Sequence, residues 1–359
     1  MSALSLLLKH IDEKTQPEPV GLARIGLGLA AVMIALVTHR DILSLLEPGT
    51  LHFQVFDWLQ LPNKISLYFL TAFSLTVSIL FTIGAFTRFA GFSIVLLILY
   101  RHLLDWGLYQ NYTVMLALFV LCMSMGNPGS AISVRALRHP SVLVPLWPQT
   151  LIKFQISVIY FYTALSKCNP LFFEGRVFRK NLTWLAPLDH PALWTACAIA
   201  TIVLEFAFVV GLWLPATRAW MIALGTVFHV GIVFSFGFIS SYMGFTIEFI
   251  SIYLLYLQPK PGSLRVVWDE HCSFCRRWVN AFSFLDWFGV LKLEGSSDAG
   301  VEILAFSGNQ KLGGFRAIRE ILSVLPVTLY FEPWLRIWPL PWFGDKVYKY
   351  VAARRHCKI

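Results

Sequence analysis

Over the first 257 residues, long apolar runs alternate with short breaks rich in proline, glycine and charge. The runs lie at approximately 19–38, 65–85, 87–104, 112–128, 150–168, 192–214, 217–236 and 239–257. Each is close to the roughly 20 residues an α-helix needs to cross a hydrocarbon core. The breaks fall where turn chemistry collects, as at Glu47-Pro48-Gly49, Gly126-Asn127-Pro128-Gly129 and Gln258-Pro259-Lys260-Pro261-Gly262. The pattern predicts a mostly α membrane bundle of about eight transmembrane helices over 19–258, preceded by an interfacial segment, 1–18. After Pro261 charges become frequent and no run is long enough to span. Leu264–Trp268 reads as a buried strand, Cys275–Phe288 as a helix, and Val290–Leu293 and Val301–Phe306 as further strands. Gly314–Leu325 reads as a helix ended by Pro326. A small C-terminal α/β domain over 264–359 follows from that β-α-β opening.

Composition turns the bundle from a buried core into a membrane domain. Hydrophobic residues make up 57% of the chain and charged residues only 14%, against roughly 25% charged in soluble proteins. Lipid must therefore solvate much of the exterior, which makes the bilayer the first partner. The net charge of +9 comes from basic residues scattered through loops and tail, which suits positive cytoplasmic loops and excludes a nucleic-acid surface. An even span count puts both termini on one side. The N-terminal side would hold Lys9, Lys14, Arg88, Arg135, Arg138, Lys153, Arg218 and Lys260. That slight excess predicts cytoplasmic termini. Leu6-Leu7-Leu8 is too short a run for a cleaved secretory signal.

The sharpest chemical signal is Asp269-Glu270-His271-Cys272-Ser273-Phe274-Cys275-Arg276-Arg277-Trp278, which follows the first predicted strand of the tail. Two cysteines separated by two residues at a helix N-terminus can close a small disulfide ring. The helix dipole with Arg276 and Arg277 favours the thiolate of Cys272, making it the more exposed, attacking thiol and Cys275 the resolving one. The partner would then be a thiol redox protein or a small thiol. A structural zinc site needs about four ligands. The pair has only His271, His356 and Cys357 to complete such a set, so no metal is expected. A buried pair without chemistry is the other plain alternative. The stretch, with Asp286-Trp287, Gly314, Ala317, Leu325-Pro326, Pro339 and Gly344-Asp345-Lys346-Val347-Tyr348, resembles the DCC family of thiol-disulfide oxidoreductases. The resemblance covers about 264–357. It implies a thioredoxin-like fold, with Asp269 as a turn residue or proton acceptor beside the thiols.

Ionisable residues within spans are costly and mark functional sites by default. Arg24, Lys167, Glu205, His229 and Glu248 are the candidates. An internal ion pair of Arg24 with Glu205 or Glu248 would account for those three by packing alone, and His229 by itself reads as a core histidine. Lys167 follows the run Tyr160–Ser166, and an amine held away from water is a candidate base; a snorkelling lysine is the alternative. Gln155–Lys167 with Phe173-Glu174-Gly175 resembles the membrane domain of vitamin K-dependent γ-carboxylases and of their bacterial relatives, the horizontally transferred transmembrane (HTTM) family. Leu22–Leu29, Leu204-Glu205, Phe228-His229, Gly237-Phe238 and Tyr242 extend the likeness over about 19–257. It implies Lys167 as the base that deprotonates a quinol. Arg24, His229, Glu205 and Tyr160 would be the substrate-binding groups, and a quinone the one candidate cofactor. Gln110 stands where the carboxylases carry a histidine, so the implication is a quinone-sized pocket rather than γ-carboxylation.

Together these readings predict a membrane thiol-disulfide oxidoreductase whose bundle binds a quinone-like molecule. The alternatives are a membrane enzyme using Lys167 on a lipid-like substrate with a regulatory cysteine domain, and a non-catalytic transporter or binding module.

Overall fold

The computed structural model describes residues 13–139, 141–237, 240–297, 302–308 and 310–354. The chain divides into two compact units, Met1–Leu214 with Val227–Leu257, and Pro215–Thr226 with Gln258–Ile359.

The first unit is a helical bundle. Its long helices are α1 (Glu18–Leu45), α2 (Lys64–Ile83), α3 (Thr87–Leu104), α4 (Asn111–Met125), α5 (Trp147–Lys167), α6 (Pro191–Gly211), α7 (Pro215–Phe236) and α8 (Ser240–Tyr253). The first half of α7 groups with the second unit. Every predicted apolar run is therefore helical. Five helices, α1, α2, α3, α6 and α7, are long and apolar enough to cross a membrane. The other three fall short for visible reasons. α4 has 15 residues, the described part of α8 has 14, and α5 carries Gln149, Lys153, Gln155, Ser157 and Lys167. Most of the predicted interfacial segment lies outside the described residues; Lys14–Thr15 pairs antiparallel with Val144–Pro145.

Local chemistry sets the helix ends. Proline occupies the first turn of α1, α5, α6 and α7, where a missing N–H costs nothing. The Asn63 side chain caps α2 by accepting the Ser66 N–H at 2.9 Å. The α2 helix stops at Gly84, whose φ of 78° is a left-handed conformation that favours glycine. Helix α1 is central: 67% of its apolar window is buried in protein, against 22% for α2, which turns Phe69 and Phe73 outward. Helix α1 packs on α2 and α8. Gly28 permits the first contact, because a Cβ there would lie 2.2 Å from Thr82 Oγ1.

The second unit holds a four-stranded sheet of β3 (Leu264–Asp269), β4 (Leu291–Ser296), β5 (Leu304–Ser307) and β6 (Gln310–Gly313), numbered after the short pair β1 (Lys14–Thr15) and β2 (Val144–Pro145). The order is β4-β3-β5-β6; β3 and β4 are parallel and the other pairs antiparallel. Helix α9 (Ser273–Leu285) makes the crossover between the parallel strands, as a parallel connection requires. Helix α10 (Gly314–Val324) follows the sheet, and α11 (Leu340–Arg354) closes the described chain. The predicted β-α-β opening is present. The third strand begins at Leu304 rather than at Val301, which lies outside the described residues. Strand β6 and helix α11 were not expected from the pattern.

Candidate functional site in the helical bundle

Helix α5 builds one wall of a cavity of about 410 Å³ within the first unit. Tyr160, Thr163 and Lys167 line it, spaced at i, i+3 and i+7 so that they share one helical face. Glu205 from α6, His229 from the second half of α7, and Phe245 and Phe249 from α8 face the same space, as do Asn111, Tyr112 and Met115 of α4. Phe172 and Phe178, from the short helices Pro170–Phe173 and Arg176–Asn181, complete the lining. That short segment is tied back by Asp189, which accepts from the Trp194 indole and from Arg179, both at 2.6 Å. These two donors hold the exposed Asp189 carboxyl below its ordinary range.

Two polar clusters stand in this largely aromatic cavity. The first is an ion pair: Lys167 Nζ donates to Glu205 Oε1 at 2.8 Å and Oε2 at 2.9 Å. It also donates to the Thr163 carbonyl at 3.3 Å. The Lys167 side chain is 26% exposed and that of Glu205 only 6%. The carboxylate is thus the buried partner and the ammonium the one that meets the cavity. Lys167 is the last residue of α5, so its charge also complements the negative end of that helix.

The second cluster is a chain of hydroxyls and an imidazole. Tyr160 OH bonds His229 Nε2 at 2.8 Å and Tyr253 OH at 2.5 Å. His229 is packed between aromatic rings, with the Phe249 centroid 4.5 Å away. Its Nδ1 is buried and has no hydrogen-bond partner among the described residues. A buried polar atom left in that state costs about 1–3 kcal/mol. Tyr160 and Lys167 lie seven residues apart on α5, roughly 10 Å along its axis.

Lys167, Glu205, His229 and Tyr160 thus line one cavity. Arg24 does not. It is fully buried, and its guanidinium donates to the carbonyls of Phe81 and Thr82, both at 2.6 Å, and of Ile132 at 2.5 Å. Phe81 and Thr82 are in the last turn of α2, where the Phe81 carbonyl also accepts the Gly84 N–H at 3.2 Å, so Arg24 adds a side-chain cap from α1. Gly84 leaves it room, since a Cβ there would lie 2.7 Å from the guanidinium. The expected ion pair of Arg24 with a span glutamate is therefore corrected: Glu205 pairs with Lys167. Glu248 is fully buried, with both carboxyl oxygens lacking hydrogen-bond partners among the described residues. It is not on the cavity wall.

The sequence reading missed Tyr253, the second hydroxyl of the chain, because a tyrosine in an apolar run looks like core. It also missed the Arg101–Asp41 pair, 3.0 Å between α3 and α1, whose two charges lie 60 residues apart in sequence.

Residues 13–255 match the HTTM domain family. The chain belongs to that family. No curated protein and no solved structure matches it. The HTTM match covers the whole bundle with its cavity, and the chain is a membrane protein on the strength of that match and of its apolar helices.

In the second unit, Asp269 ends β3, is fully buried, and accepts the His271 N–H at 3.0 Å through Oδ1. This is a turn-forming role in the loop before α9. Cys272 is the N-cap residue of α9. Its exposure reverses the expectation: Cys272 is fully buried and disulfide-bonded, whereas Cys275 is half-buried and keeps its thiol. The disulfide therefore does not join Cys272 to Cys275.

Proposed function

We propose that the HTTM bundle binds a lipophilic, quinone-like hydroxylic substrate and exchanges a proton with it through the Lys167–Glu205 pair. The observation that carries this reading is the ion pair on the wall of an apolar cavity. A cavity of about 410 Å³ is within the usual range for a small organic ligand, and the usual recipe is apolar walls with a few placed polar groups. Phe228, Phe245 and Phe249 offer aromatic faces to a ring. Glu205 receives the proton that the Lys167 ammonium must shed before its amine can act as base. The regenerated ammonium then stabilises the oxyanion that forms, in a site with little competing water. Tyr160 and His229, about two helical turns away, accept or donate to a second oxygen. All eight long helices would span the membrane in this reading, with Gln149, Lys153 and Ser157 of α5 turned inward, in a bacterial inner membrane with both termini cytoplasmic.

The test is equilibrium binding of decylubiquinol to the full chain in lipid nanodiscs. Saturable binding, weakened at least about tenfold by Lys167→Met and abolished by the cavity-filling Met115→Trp, supports the reading. Equal, non-saturable partitioning of quinol with the wild type and both variants sinks it.

A second activity, thiol-disulfide exchange by a DCC-like domain, has its own support. The sheet order, with a parallel first pair crossed over by α9 and two antiparallel additions, favours a thioredoxin-like assignment. The Cys275 thiol lies one helical turn from Cys272, which is already in a disulfide. Attack of the Cys275 thiolate on Cys272 Sγ would form the Cys272–Cys275 bond and release the other sulfur as thiolate. A protein or small thiol would then reduce the pair. A redox titration read by thiol labelling tests this. A reversible two-electron step near the cytosolic glutathione poise, roughly −220 to −320 mV, is the expected result. Cysteine states that never respond to potential refute it.

A further inference from the structure

The second unit contains a cavity larger than that of the bundle and different in chemistry. Helices α9, α10 and α11 enclose about 680 Å³, with Phe274, Trp278, Leu322, Phe343 and Val347 among the walls. Among the described lining residues three carry a polar atom: Cys275, the Trp278 indole, and Tyr348, whose hydroxyl already accepts the Ile303 N–H at 3.2 Å. No described lining residue is charged. Sites for polar small molecules carry several convergent polar groups, and the rest of this described lining is apolar. Whatever lies inside is therefore held by apolar burial along its length. The size fits one extended hydrocarbon chain, not the two chains of a phospholipid.

The rim supplies the missing polarity, and it is cationic. The Arg319 guanidinium stacks 5.9 Å from the centre of the Phe315 ring, a cavity residue. Its NH1 donates to the Leu335 carbonyl at 3.4 Å, while its Nε is buried without a hydrogen-bond partner among the described residues. An apolar slot flanked by a guanidinium with an unsatisfied buried N–H complements a single-chain amphiphile with an anionic head. We propose that this groove binds a long-chain fatty acid, its hydrocarbon between α10 and α11 and its carboxylate at Arg319. The inference stands on the second unit alone and is independent of the quinone and thiol readings.

Cys275 on the wall provides the reporter. The full chain, in phosphatidylcholine nanodiscs, is alkylated with N-ethylmaleimide with and without oleate, and each cysteine is followed by peptide mass spectrometry. At ten times the dissociation constant about a tenth of the grooves stay open, so Cys275 alkylation slows about tenfold while exposed Cys168 is unaffected. Arg319→Gln raises the half-protecting oleate concentration roughly tenfold, the equivalent of one charge-assisted hydrogen bond; it leaves protection by oleyl alcohol unchanged. Leu322→Trp, which fills the slot, removes the oleate dependence. A diazirine-bearing fatty acid crosslinks to peptides of α10 and α11 and is displaced by oleate. The proposal is overturned if alkylation of Cys275 is indifferent to oleate and crosslinks fall only on the bundle helices. It is equally overturned if phosphatidic acid protects and oleate does not, or if protection tracks protein concentration, which would mark a second copy as the occupant.

Discussion

Replacing Lys167 by methionine probes the pair on which the bundle site depends. The change keeps the apolar stem and removes the charge, stranding Glu205, whose side chain is 6% exposed, with no cation in reach. Breaking a buried pair from one side costs about 3–5 kcal/mol. Because the lysine keeps 26% of its exposure, the lower end, about 3 kcal/mol, is expected. Glu205→Gln retains a neutral hydrogen bond to the ammonium and should cost about 2 kcal/mol. The double variant strands neither charge. Its cost should be near 3 kcal/mol rather than the additive 5, which is a coupling of about 2 kcal/mol. Equilibrium unfolding of the purified chain in mixed detergent–SDS micelles measures all three differences. Additivity within about 0.5 kcal/mol would refute the reasoning, because it would mean that the two side chains do not share a bond in the membrane.

Three further outcomes follow from the same geometry. Arg24→Gln removes a charged donor set from two carbonyls at the end of α2 and from that of Ile132 and should destabilise by about 3 kcal/mol, while the surviving folded fraction binds quinol with wild-type affinity. Tyr160→Phe leaves His229 Nε2 and Tyr253 OH each without their shared partner. A loss of about 1–3 kcal/mol in the SDS titration is expected, accompanied by weaker quinol binding. Under non-reducing conditions a maleimide should label Cys275 and leave Cys272 unlabelled until a reductant is added, the order read by peptide mass spectrometry.

Much of the fold was legible because each element announces itself locally. Apolar runs bounded by proline and glycine gave the helices of the bundle, and the shift to frequent charge after Pro261 gave the change of architecture. The β-α-β opening could be read because a short β-branched run precedes an amphipathic helix. What stayed hidden depends on partners distant in sequence. Arg24 looked like a site residue because sequence prices the charge but not the carbonyls of Phe81, Thr82 and Ile132 that receive it. Glu205 was a candidate for two pairings, and only the packing of α5 on α6 selects Lys167. Exposure at the cysteine pair was misjudged for the same reason. Position at a helix N-cap favours a thiolate, yet whether that cap faces solvent is decided by the surrounding sheet and helices. Helix α11 lacks a clear period, since its aromatic residues divide between a cavity wall and an outer face.

The most direct test of the bundle site is the map of covalent labelling by an azido-substituted short-chain ubiquinone, photolysed with the full chain in nanodiscs. The account predicts modification of peptides that carry Tyr112 and Met115 of α4 and Phe245 and Phe249 of α8, suppressed by excess decylubiquinol and much reduced in Lys167→Met. Labelling spread over the outward faces of α2 and α3, insensitive both to competitor and to the substitution, would contradict it.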